Sequence, residues 1–496
     1  MRNAPAVSGL LTRTQLRLRP DASRTLCRLF VPGHETLIRG EPRAMAVIDR
    51  VLELTDEQVE RTLARTLARF SAGYRDLARV LERNFQQVAH RLDGQAGRGS
   101  ARRQLIGAYF TQEYAIEAAA LFNPSMVAHP DQAGCQSGAT RFIMSLRAVG
   151  EGHLSSIEFR TGIVSESGIA LDPPGRFLDT GHRLPAPHDR DLFQENLAEL
   201  IPEDENARFL WSRLPPRFTA AELDAALAEL SSQHATRRDS AALAACARRT
   251  AASSYAVEFD SHSELSERVI WPAGPAESHG MEDARFVRFT DGDDVTYYAT
   301  YTAFDGSQVQ PHLLETRDFR KFAASPLSGT SARNKGMALF PRRVAGRYAA
   351  LSRWDRESNA ICYSADGHRW GEAITIQAPT RPWELIQLGN CGSPIETPVG
   401  WLVFTHGVGP MREYAIGAVL LDGDEPERLI GALPEPLLVA DESEREGYVP
   451  NVVYSCGAMI HGNQIVLPYG CSDSSVRIAV VDLGLLLARL TGGSSR

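Results

Sequence analysis

The sequence predicts an all-β fold, a five-bladed β-propeller with an added N-terminal helical region and a helical insertion. The main observation is a repeated unit: a glycine or polar turn, an alternating aromatic and β-branched strand, and a polar cluster at the end of that strand. Five segments share this design, at Arg141–Glu151, Val295–Asp305, Arg347–Asp355, Gly400–Gly407 and Gln464–Asp473. Aligned on their strands, the last four recur at intervals of about 50 to 65 residues, near the repeat lengths of propeller blades.

Two turns support this prediction. Thr316–Phe319 and Ser364–Gly367 each follow a predicted strand and have the composition of outer hairpin turns. In a propeller the same end of every inner strand faces the central channel. We therefore expect the five polar clusters to converge at one place.

Residues 1–120 are predicted to form a separate N-terminal region, an extended lead-in followed by helices. Across 46–95, apolar residues recur at three- and four-residue spacing among Arg and Glu. Thr55 has the side chain of a helix N-cap, since its oxygen can accept from a free backbone amide. A further helix is predicted over 103–120, after a loop at Gly94–Ser100.

The catalytic domain is predicted to span 121–488, with residues 489–496 as a flexible tail. A stretch at about 190–250 has helical character and is predicted to be an insertion, with Asp191–Ile201 and Thr219–Ser231 as its clearest helices. These helical additions suit packing on the propeller or a subunit interface, so a homo-oligomer is compatible with the sequence.

Composition restricts the classes of function. The 496 residues are 43% hydrophobic and 23% charged, with a net charge of −8 and no basic stripe, so we expect no nucleic-acid partner. No apolar run approaches the roughly 20 residues of a membrane span, and Met1–Arg19 has no signal-peptide core, so a cytoplasmic protein without a membrane partner is expected. The seven scattered cysteines form no CxxC pair, so we expect no metal site.

One stretch, Gly280–Val287, combines two adjacent carboxylates with an arginine before an apolar strand. In isolation this pattern is typical of a turn with a surface ion pair. At the end of a strand that faces a channel, it can instead hold a proton donor in a defined protonation state.

Several short motifs occur in one order along the chain: Phe122–Ser125, Gly280–Arg285, Asn334-Lys335 with Leu339–Pro341, Gly392–Ile395, Gly400–Leu402, Thr405–Gly407, Asn451–Val453 and Tyr469–Asp473. Over about residues 120–485 this series resembles glycoside hydrolase family 130. The resemblance implies a five-bladed propeller that acts on β-mannosides, in most branches as an inverting phosphorylase and in some as a hydrolase.

The resemblance also implies roles for single residues. Asp283 matches the family's catalytic acid, which passes its proton to the departing glycosidic oxygen through the 3-hydroxyl of the bound mannose. Asn123, Ser125, Arg147 and Asp473 match positions that hold the mannose. Glu282 is expected to orient or tune Asp283 at the substrate-binding site.

For the attacking group, Lys335, Arg353, His406 and Tyr414 match the family's phosphate site. Inorganic phosphate would be a co-substrate that replaces a catalytic base, and no other cofactor is expected. The sequence departs from the family at three positions: Gln387 and Lys335 replace a lysine and an arginine, and Ala284 replaces a proline.

The leading hypothesis is an inverting β-mannoside phosphorylase that converts a disaccharide or oligosaccharide β-mannoside and phosphate to α-mannose 1-phosphate. The alternative is an inverting β-mannosidase, which needs a second carboxylate opposite Asp283; Glu384, Glu396 and Glu446 are the candidates in the sequence. A non-catalytic carbohydrate-binding propeller is a third hypothesis. The tryptophans at 354, 370, 383 and 401 are expected to lie in the propeller core, and Trp383 is the one to test for stacking on a sugar.

Overall fold

The computed structural model describes residues 9–33, 42–92, 99–232 and 240–492. The chain divides into two compact units. The larger unit comprises the described residues of Met1–Pro20, Ala119–Pro174 and Thr180–Arg496, and the smaller comprises those of Asp21–Ala118 and Gly175–Asp179.

The described strands of the larger unit group into five antiparallel meanders. The first contains Ala120–Ala128, Thr140–Val149, Ser155–Ser165 and Gly168–Leu171, with Val269–Ile270 at its third strand. The second contains Gly280–Asp291, Asp294–Phe304, Val309–Thr316 and Lys321–Pro326, followed outward by Tyr255–Glu258 and His182–Leu184. The third contains Ala338–Leu339, Tyr348–Ser352, Asn359–Ser364 and Ile374–Gln377. A parallel pairing of Gly280 with Ser155 joins the first two.

The remaining two meanders begin with a divided strand. In the fourth, Gln387–Asn390 and Ile395–Thr397 both pair with Gly400–Val408, and Tyr414–Leu421, Leu429–Ala432 and Leu438–Val439 follow. In the fifth, Val453–Tyr454 and Met459–His461 both pair with Gln464–Cys471, which pairs with Ser475–Asp482. The predicted turns at Thr316–Phe319 and Ser364–Gly367 are confirmed, because each leads from the third strand of its meander to the fourth.

The N-terminal strand Leu11–Leu18 completes the fifth meander by pairing with Ser475–Asp482. The prediction that residues 1–120 form one region is therefore wrong for this strand, which belongs to the larger unit. The physical reason is burial: Leu10 is 6% exposed and lies in a core shared with the fourth and fifth meanders.

The described residues of the smaller unit form four α-helices and a two-stranded sheet. The helices are Arg43–Leu52, Asp56–Phe70, Leu77–Val88 and Ser100–Tyr109. The predicted cap is confirmed, because the Thr55 side chain accepts from the Gln58 amide in a reciprocal capping box. The helix predicted over 103–120 is wrong beyond Tyr109, since Thr111–Ala115 pairs with Thr25–Leu29 and strand pairing overrides local helix propensity. Most of the predicted loop at Gly94–Ser100 lies outside the described residues.

The insertion forms a helical cluster with its own apolar core. Its described helices are Arg190–Ala198, Glu205–Arg213, Ala220–Ser232 and Ser240–Ala252, so the two predicted helices are confirmed. Two short strands pair with each other in the insertion: His188–Asp189, just before the first of these helices, and Arg217–Phe218, between the second and the third. The chain enters and leaves this cluster through His182–Leu184 and Tyr255–Glu258, which pair at the outer edge of the second meander.

A last helix, Leu483–Gly492, follows the fifth meander. Residues 489–492 were predicted as part of a flexible tail, and this is wrong because Leu490 is buried in the core of the fourth and fifth meanders. Residues 493–496 lie outside the described part. No helix within the described ranges is long and apolar enough to cross a membrane.

The packing of the N-terminal segment can be tested at Leu10, the residue directly before the strand Leu11–Leu18. Leu10→Ala removes a buried side chain, and we expect it to lower the free energy of unfolding by about 2–4 kcal/mol in chemical denaturation. Leu485→Ala is the matched control, because Leu485 is exposed on the last helix and should change stability by less than about 0.5 kcal/mol. Equal effects of the two variants would show that the N-terminal strand does not pack as described.

Candidate active site

A pocket of about 160 Å³ is lined by residues from all five meanders and their connections. The first and second meanders supply Phe122, Asn123, Arg147 and Asp283; the other three and the segments leading into them supply Lys335, Arg353, Gln387, His406, Arg412, Tyr414, Val449, Val452, Tyr454 and Asp473. Four of the five predicted segments thus bring a polar residue to one place, namely Arg147, Arg353, His406 and Asp473. The fifth, Val295–Asp305, lines no part of the pocket, and its meander supplies Asp283 from the preceding strand instead. Of the predicted site residues, Ser125 and Glu282 do not line this pocket.

Four polar residues that line the pocket have a left-handed backbone: Asn123, Asp283, Arg412 and Asp473. Asn123, Asp283 and Asp473 have φ angles of +49°, +56° and +48°. Asn123 and Asp283 each lie at a register shift, where their strand contains one residue more than its partner. Such bulges redirect a side chain at a modest cost in free energy, about 1 kcal/mol or more per non-glycine residue. The strain indicates that side-chain direction matters at these positions.

Asp283 is held by its neighbours in a polar, buried setting. The Asn123 side-chain amide donates to its carboxylate, and Arg147 Nη1 and Arg285 Nη2 each lie 3.8 Å from a carboxylate oxygen. Burial alone would raise the pKa of Asp283, but the attraction of Arg285, Lys335 and Arg147 outweighs it and lowers the pKa below its ordinary value. In the unliganded pocket Asp283 is therefore ionised at neutral pH.

Glu282 does not line the pocket, but its carboxylate forms ion pairs with two of the cations that do. Arg147 Nη2 donates to Glu282 Oε1 at 2.6 Å, and Lys335 Nζ donates to Oε2. The carboxylate is 7% exposed, so its role is to position Arg147 and Lys335 on either side of Asp283. This agrees with an orienting role for Glu282 and places no direct sugar contact on it.

Asp473 follows the strand Gln464–Cys471 in a tight turn to the next strand. Burial raises its pKa to about 6, against the attraction of Arg147 and with a further rise from the Asp283 carboxylate. Asn123 Oδ1 is buried and accepts no hydrogen bond within the described structure. The Asp473 carboxyl and Asn123 Oδ1 can accept hydrogen bonds from the hydroxyl groups of a sugar, and the Arg147 guanidinium can donate to them.

Arg353, His406 and Tyr414 form the other side of the pocket. Arg353 Nη1 donates to His406 Nε2 at 3.0 Å, and the rings of His406 and Tyr414 are parallel with centroids 6.0 Å apart. Burial and the nearby Arg353 and Arg285 lower the pKa of His406 well below its ordinary value, so the imidazole is neutral and contributes hydrogen bonding rather than charge. Gly389 makes room for this pair, since a Cβ there would lie 2.4 Å from His406 Cε1.

A buried polar layer lies below Asp283. Arg285 Nη1 donates to the Asp283 carbonyl oxygen at 2.9 Å, and Arg285 Nη2 donates to the Tyr454 hydroxyl at 2.8 Å. The Ser125 hydroxyl is fully buried and accepts from the Phe286 amide at 3.0 Å. Ser125 does not line the pocket, and its hydrogen bond fixes the strand that carries Asp283, so its predicted contact with a sugar stays a prediction.

The candidate second carboxylates do not reach the pocket. Glu384 is fully buried and pairs with Arg381, whereas Glu396 pairs with Arg342. Neither they nor Glu446 line the pocket, where Asp283 and Asp473 are the described carboxylates. Trp383 is also absent from the lining. Its ring packs against the glycines at 407 and 417, where a Cβ would lie within 2.7 Å of it.

Sequence reasoning missed two polar lining residues, Arg412 and Tyr454. Arg412 lies in a turn outside every motif, so only its position between His406 and Tyr414 could have indicated it. Tyr454 directly follows the Asn451–Val453 motif. Within the described residues, no group of three or more His, Cys, Asp or Glu side chains is arranged to hold a metal ion.

Comparison with known proteins identifies the family. The family model for glycoside hydrolase family 130, described as beta-1,4-mannooligosaccharide phosphorylase, matches residues 251–490. The chain is 31% identical over 240 residues to the 1,2-beta-oligomannan phosphorylase of Thermoanaerobacter sp. (strain X514), a match that covers 46% of this chain and 78% of the relative. The chain belongs to glycoside hydrolase family 130.

Other relatives are similar over shorter stretches. The Beta-1,2-mannobiose phosphorylase of Listeria innocua is 30% identical over 225 residues, which covers 43% of this chain and 61% of the relative. The Beta-1,4-mannooligosaccharide phosphorylase of Ruminococcus albus is 34% identical over 158 residues, which covers 29% and 47%. A solved structure of the Listeria innocua beta-1,2-mannobiose phosphorylase with beta-1,2-mannobiose superposes with a TM-score of 0.45 and 20% identity, over 76% of this chain and 93% of that one.

The raised pKa of Asp473 leads us to expect that the stability of the protein depends on pH. Because its pKa is about 6 when folded and near 3.8 when unfolded, folding takes up a proton between these values and stability falls as pH rises through that window. We expect Asp473→Asn to be more stable than the wild type above pH 6, by on the order of 2 kcal/mol, and equal to it below about pH 4. Denaturant unfolding from pH 4 to 8 measures this.

The exposed carboxyl of Asp424 supplies the control. Asp424→Asn removes the same charge and should leave the pH profile of stability unchanged. A stability difference for Asp473→Asn that stays constant over the whole pH range would contradict the raised pKa.

Proposed function

We propose that this protein is an inverting β-mannoside phosphorylase, which cleaves a β-mannosidic bond with inorganic phosphate to give α-mannose 1-phosphate. The observation that carries the proposal is the state of Arg353. Its guanidinium lines the pocket, donates to a neutral histidine, and has a buried Nε without a hydrogen-bond partner in the described structure. A guanidinium with no carboxylate partner is suited to bind an incoming anion through its paired donors.

The proposed phosphate site combines Arg353 with Lys335, His406 and Tyr414. Two cations balance a phosphate dianion, and the imidazole and phenol supply neutral hydrogen bonds. Gln387 Nε2 lies 3.5 Å from the Tyr414 hydroxyl and can add a neutral donor. Phosphate held in this way is itself the nucleophile, so the reaction needs no protein base.

On the sugar side, we propose that Asn123, Arg147 and Asp473 bind the mannose hydroxyls. Asp283 then donates a proton to the leaving oxygen, by way of the mannose 3-hydroxyl, as phosphate bonds to the anomeric carbon and the glycosidic bond breaks. The proton lost from phosphate restores the acid, so no further reactant is required.

A low pKa would leave Asp283 without the proton that it must donate. Phosphate resolves this, because a dianion placed beside Lys335 and Arg353 offsets the positive field that keeps Asp283 ionised. We infer that Asp283 gains its proton when phosphate binds. This order protects the enzyme from hydrolysing its substrate in the absence of phosphate.

We also propose that the five meanders are the blades of a closed β-propeller. Two cavities support closure. The pocket contains residues from all five meanders, and a second cavity of about 520 Å³ is lined by Met126, Phe286, Pro341, Ile395, Met459 and neighbours near the first strand of each meander. A central channel that is open at both ends accounts for two cavities that each contain residues from all five meanders.

Hydrolysis is the alternative, with Asp473 as the candidate base. Asp473 shares the pocket with Asp283, and a carboxyl with a pKa of about 6 can accept a proton at neutral pH. Phosphorolysis is favoured because Asp473 lies beside Asp283 and Arg147, whereas the Arg353 guanidinium, which pairs with a neutral histidine and with no described carboxylate, lies on the other side of the pocket.

The two activities differ in their need for phosphate. We expect β-1,2- or β-1,4-mannobiose to yield α-mannose 1-phosphate with phosphate and no product without it, as measured by ³¹P NMR and a free-mannose assay. Asp283→Asn should lower kcat by about 10²–10⁴-fold. Mannose release at the same rate without phosphate would identify a mannosidase instead.

If Arg353 binds phosphate, its substitution should change the KM for phosphate more than the KM for the mannoside. Arg353→Ala should raise KM for phosphate by about tenfold to a hundredfold, because it removes charge-assisted hydrogen bonds, and should leave KM for the mannoside nearly unchanged. Arg317→Ala, at an exposed arginine paired with Asp294, is the matched control for lost charge. An equal rise in both KM values for Arg353→Ala would place this arginine outside a phosphate site.

A further inference from the structure

Arg412 is a pocket cation that the proposed reaction does not use. Its exposed side chain lines the pocket, and it makes no hydrogen bond or ion pair with another described residue. The other pocket cations are engaged: Arg147 and Lys335 share Glu282, and Arg353 donates to His406. Arg412 is close enough to Asp473 to oppose the rise in the pKa of that carboxyl.

An unusual turn, Gly409–Glu413, sets the position of Arg412. The Gly409 amide donates to the Glu413 carbonyl at 2.9 Å, and both central residues, Met411 and Arg412, are left-handed with φ of +59° and +57°. Residues other than Gly, Asn and Asp seldom adopt this conformation. Met411 is 90% exposed, so packing of its side chain does not explain the strain.

The first meander contains the same turn at Gly150–Leu154. Its closing hydrogen bond is 3.2 Å, and its left-handed residues are Gly152 and His153, with φ of +70° and +58°. His153 takes the place of Arg412 and contacts Tyr448, with 3.4 Å between its Nδ1 and the hydroxyl oxygen. The equivalent side chain in the fourth meander, Arg412, has no such partner among the described residues, which leaves a guanidinium available at the pocket.

The charges of the loaded pocket leave one cation unbalanced. The arginines at 147, 285, 353 and 412 and Lys335 are positive, whereas Glu282, Asp473 and a phosphate dianion are negative. Asp283 is neutral when it holds the proton that it donates. One further negative charge would complete the balance, and Arg412 is the cation whose donors are unused.

We propose that the leaving half of the substrate carries an anionic group, a carboxylate or a phosphate ester on its sugar, and that Arg412 binds this group. This inference rests on the proposed phosphorylase function and specifies its substrate class. A planar guanidinium offers two parallel donors, which match the two oxygens of either anion.

The synthetic direction tests the proposal, with α-mannose 1-phosphate as donor and mannose, mannuronate or mannose 6-phosphate as acceptor. The wild type should use an anionic acceptor with a kcat/KM at least about tenfold above that for mannose. Arg412→Ala should remove this preference and keep the activity with mannose, and Arg412→Lys should retain part of it. The two anions distinguish a carboxylate from a phosphate ester.

Two variants serve as controls. Met411→Ala changes the same turn without a loss of charge, and Arg65→Ala removes one exposed positive charge from the helical unit. Both should keep the wild-type preference. Equal use of all three acceptors by the wild type would overturn the proposal. A rise in KM for α-mannose 1-phosphate in Arg412→Ala would also overturn it, by assigning Arg412 to the phosphate site.

Binding measurements separate this proposal from the proposed reaction. If the wild type turns over none of the acceptors, phosphorolysis fails, but calorimetric titration with mannuronate still reports on Arg412. Binding that is lost in Arg412→Ala and retained in Arg353→Ala supports an anion subsite at the turn. Binding that does not depend on Arg412 contradicts it.

Discussion

The buried carboxylate of Glu282 is the interaction on which the pocket depends. It is 7% exposed and accepts from Arg147 on one side and Lys335 on the other. A buried carboxylate without partners would cost several kcal/mol, so the two cations are held firmly in place. Arg147 thereby faces the proposed sugar side and Lys335 the proposed phosphate side, and one carboxylate organises both halves of the site.

The same arrangement links the acid to its co-substrate. Asp283 follows Glu282 directly; against the effect of burial, its pKa is lowered by Arg285 and by Lys335 and Arg147, the two cations that Glu282 orients. A phosphate dianion would occupy the field of these cations and return proton affinity to Asp283. Under this mechanism the chemical roles of the two adjacent carboxylates differ because Glu282 is paired on both oxygens, whereas Asp283 is directed into the pocket by a left-handed backbone.

The sequence predicted much of the site because its residues recur at strand ends. The repeated strands located the meanders, and the motifs contain Asn123, Asp283, His406 and Asp473, which all line one pocket. The motifs could not distinguish a residue that lines the pocket from a neighbour in the same motif that is buried outside it. Ser125 belongs to a motif, but its hydroxyl bonds the Phe286 amide, because a bulge at Asn123 turns the neighbouring positions away.

Other errors came from pairing between distant parts of the chain. A helix was predicted over 103–120, but Thr111–Ala115 pairs with a strand more than 80 positions earlier in sequence, which local propensity cannot indicate. The strand Leu11–Leu18 likewise pairs with the end of the chain. Arg412 was missed for a related reason, because its importance depends on a turn conformation and a pocket that no local pattern encodes.

The most direct test of the link between phosphate and acid is the proton uptake that accompanies phosphate binding. Calorimetric titration of phosphate in buffers of different ionisation enthalpy, near pH 7, gives the number of protons taken up by the wild type and by Asp283→Asn. Since the protonation of phosphate itself cancels in the comparison, the wild type should take up more protons than the variant, by up to about one per phosphate. Identical proton uptake by the two proteins would contradict the coupling of the acid to the anion site.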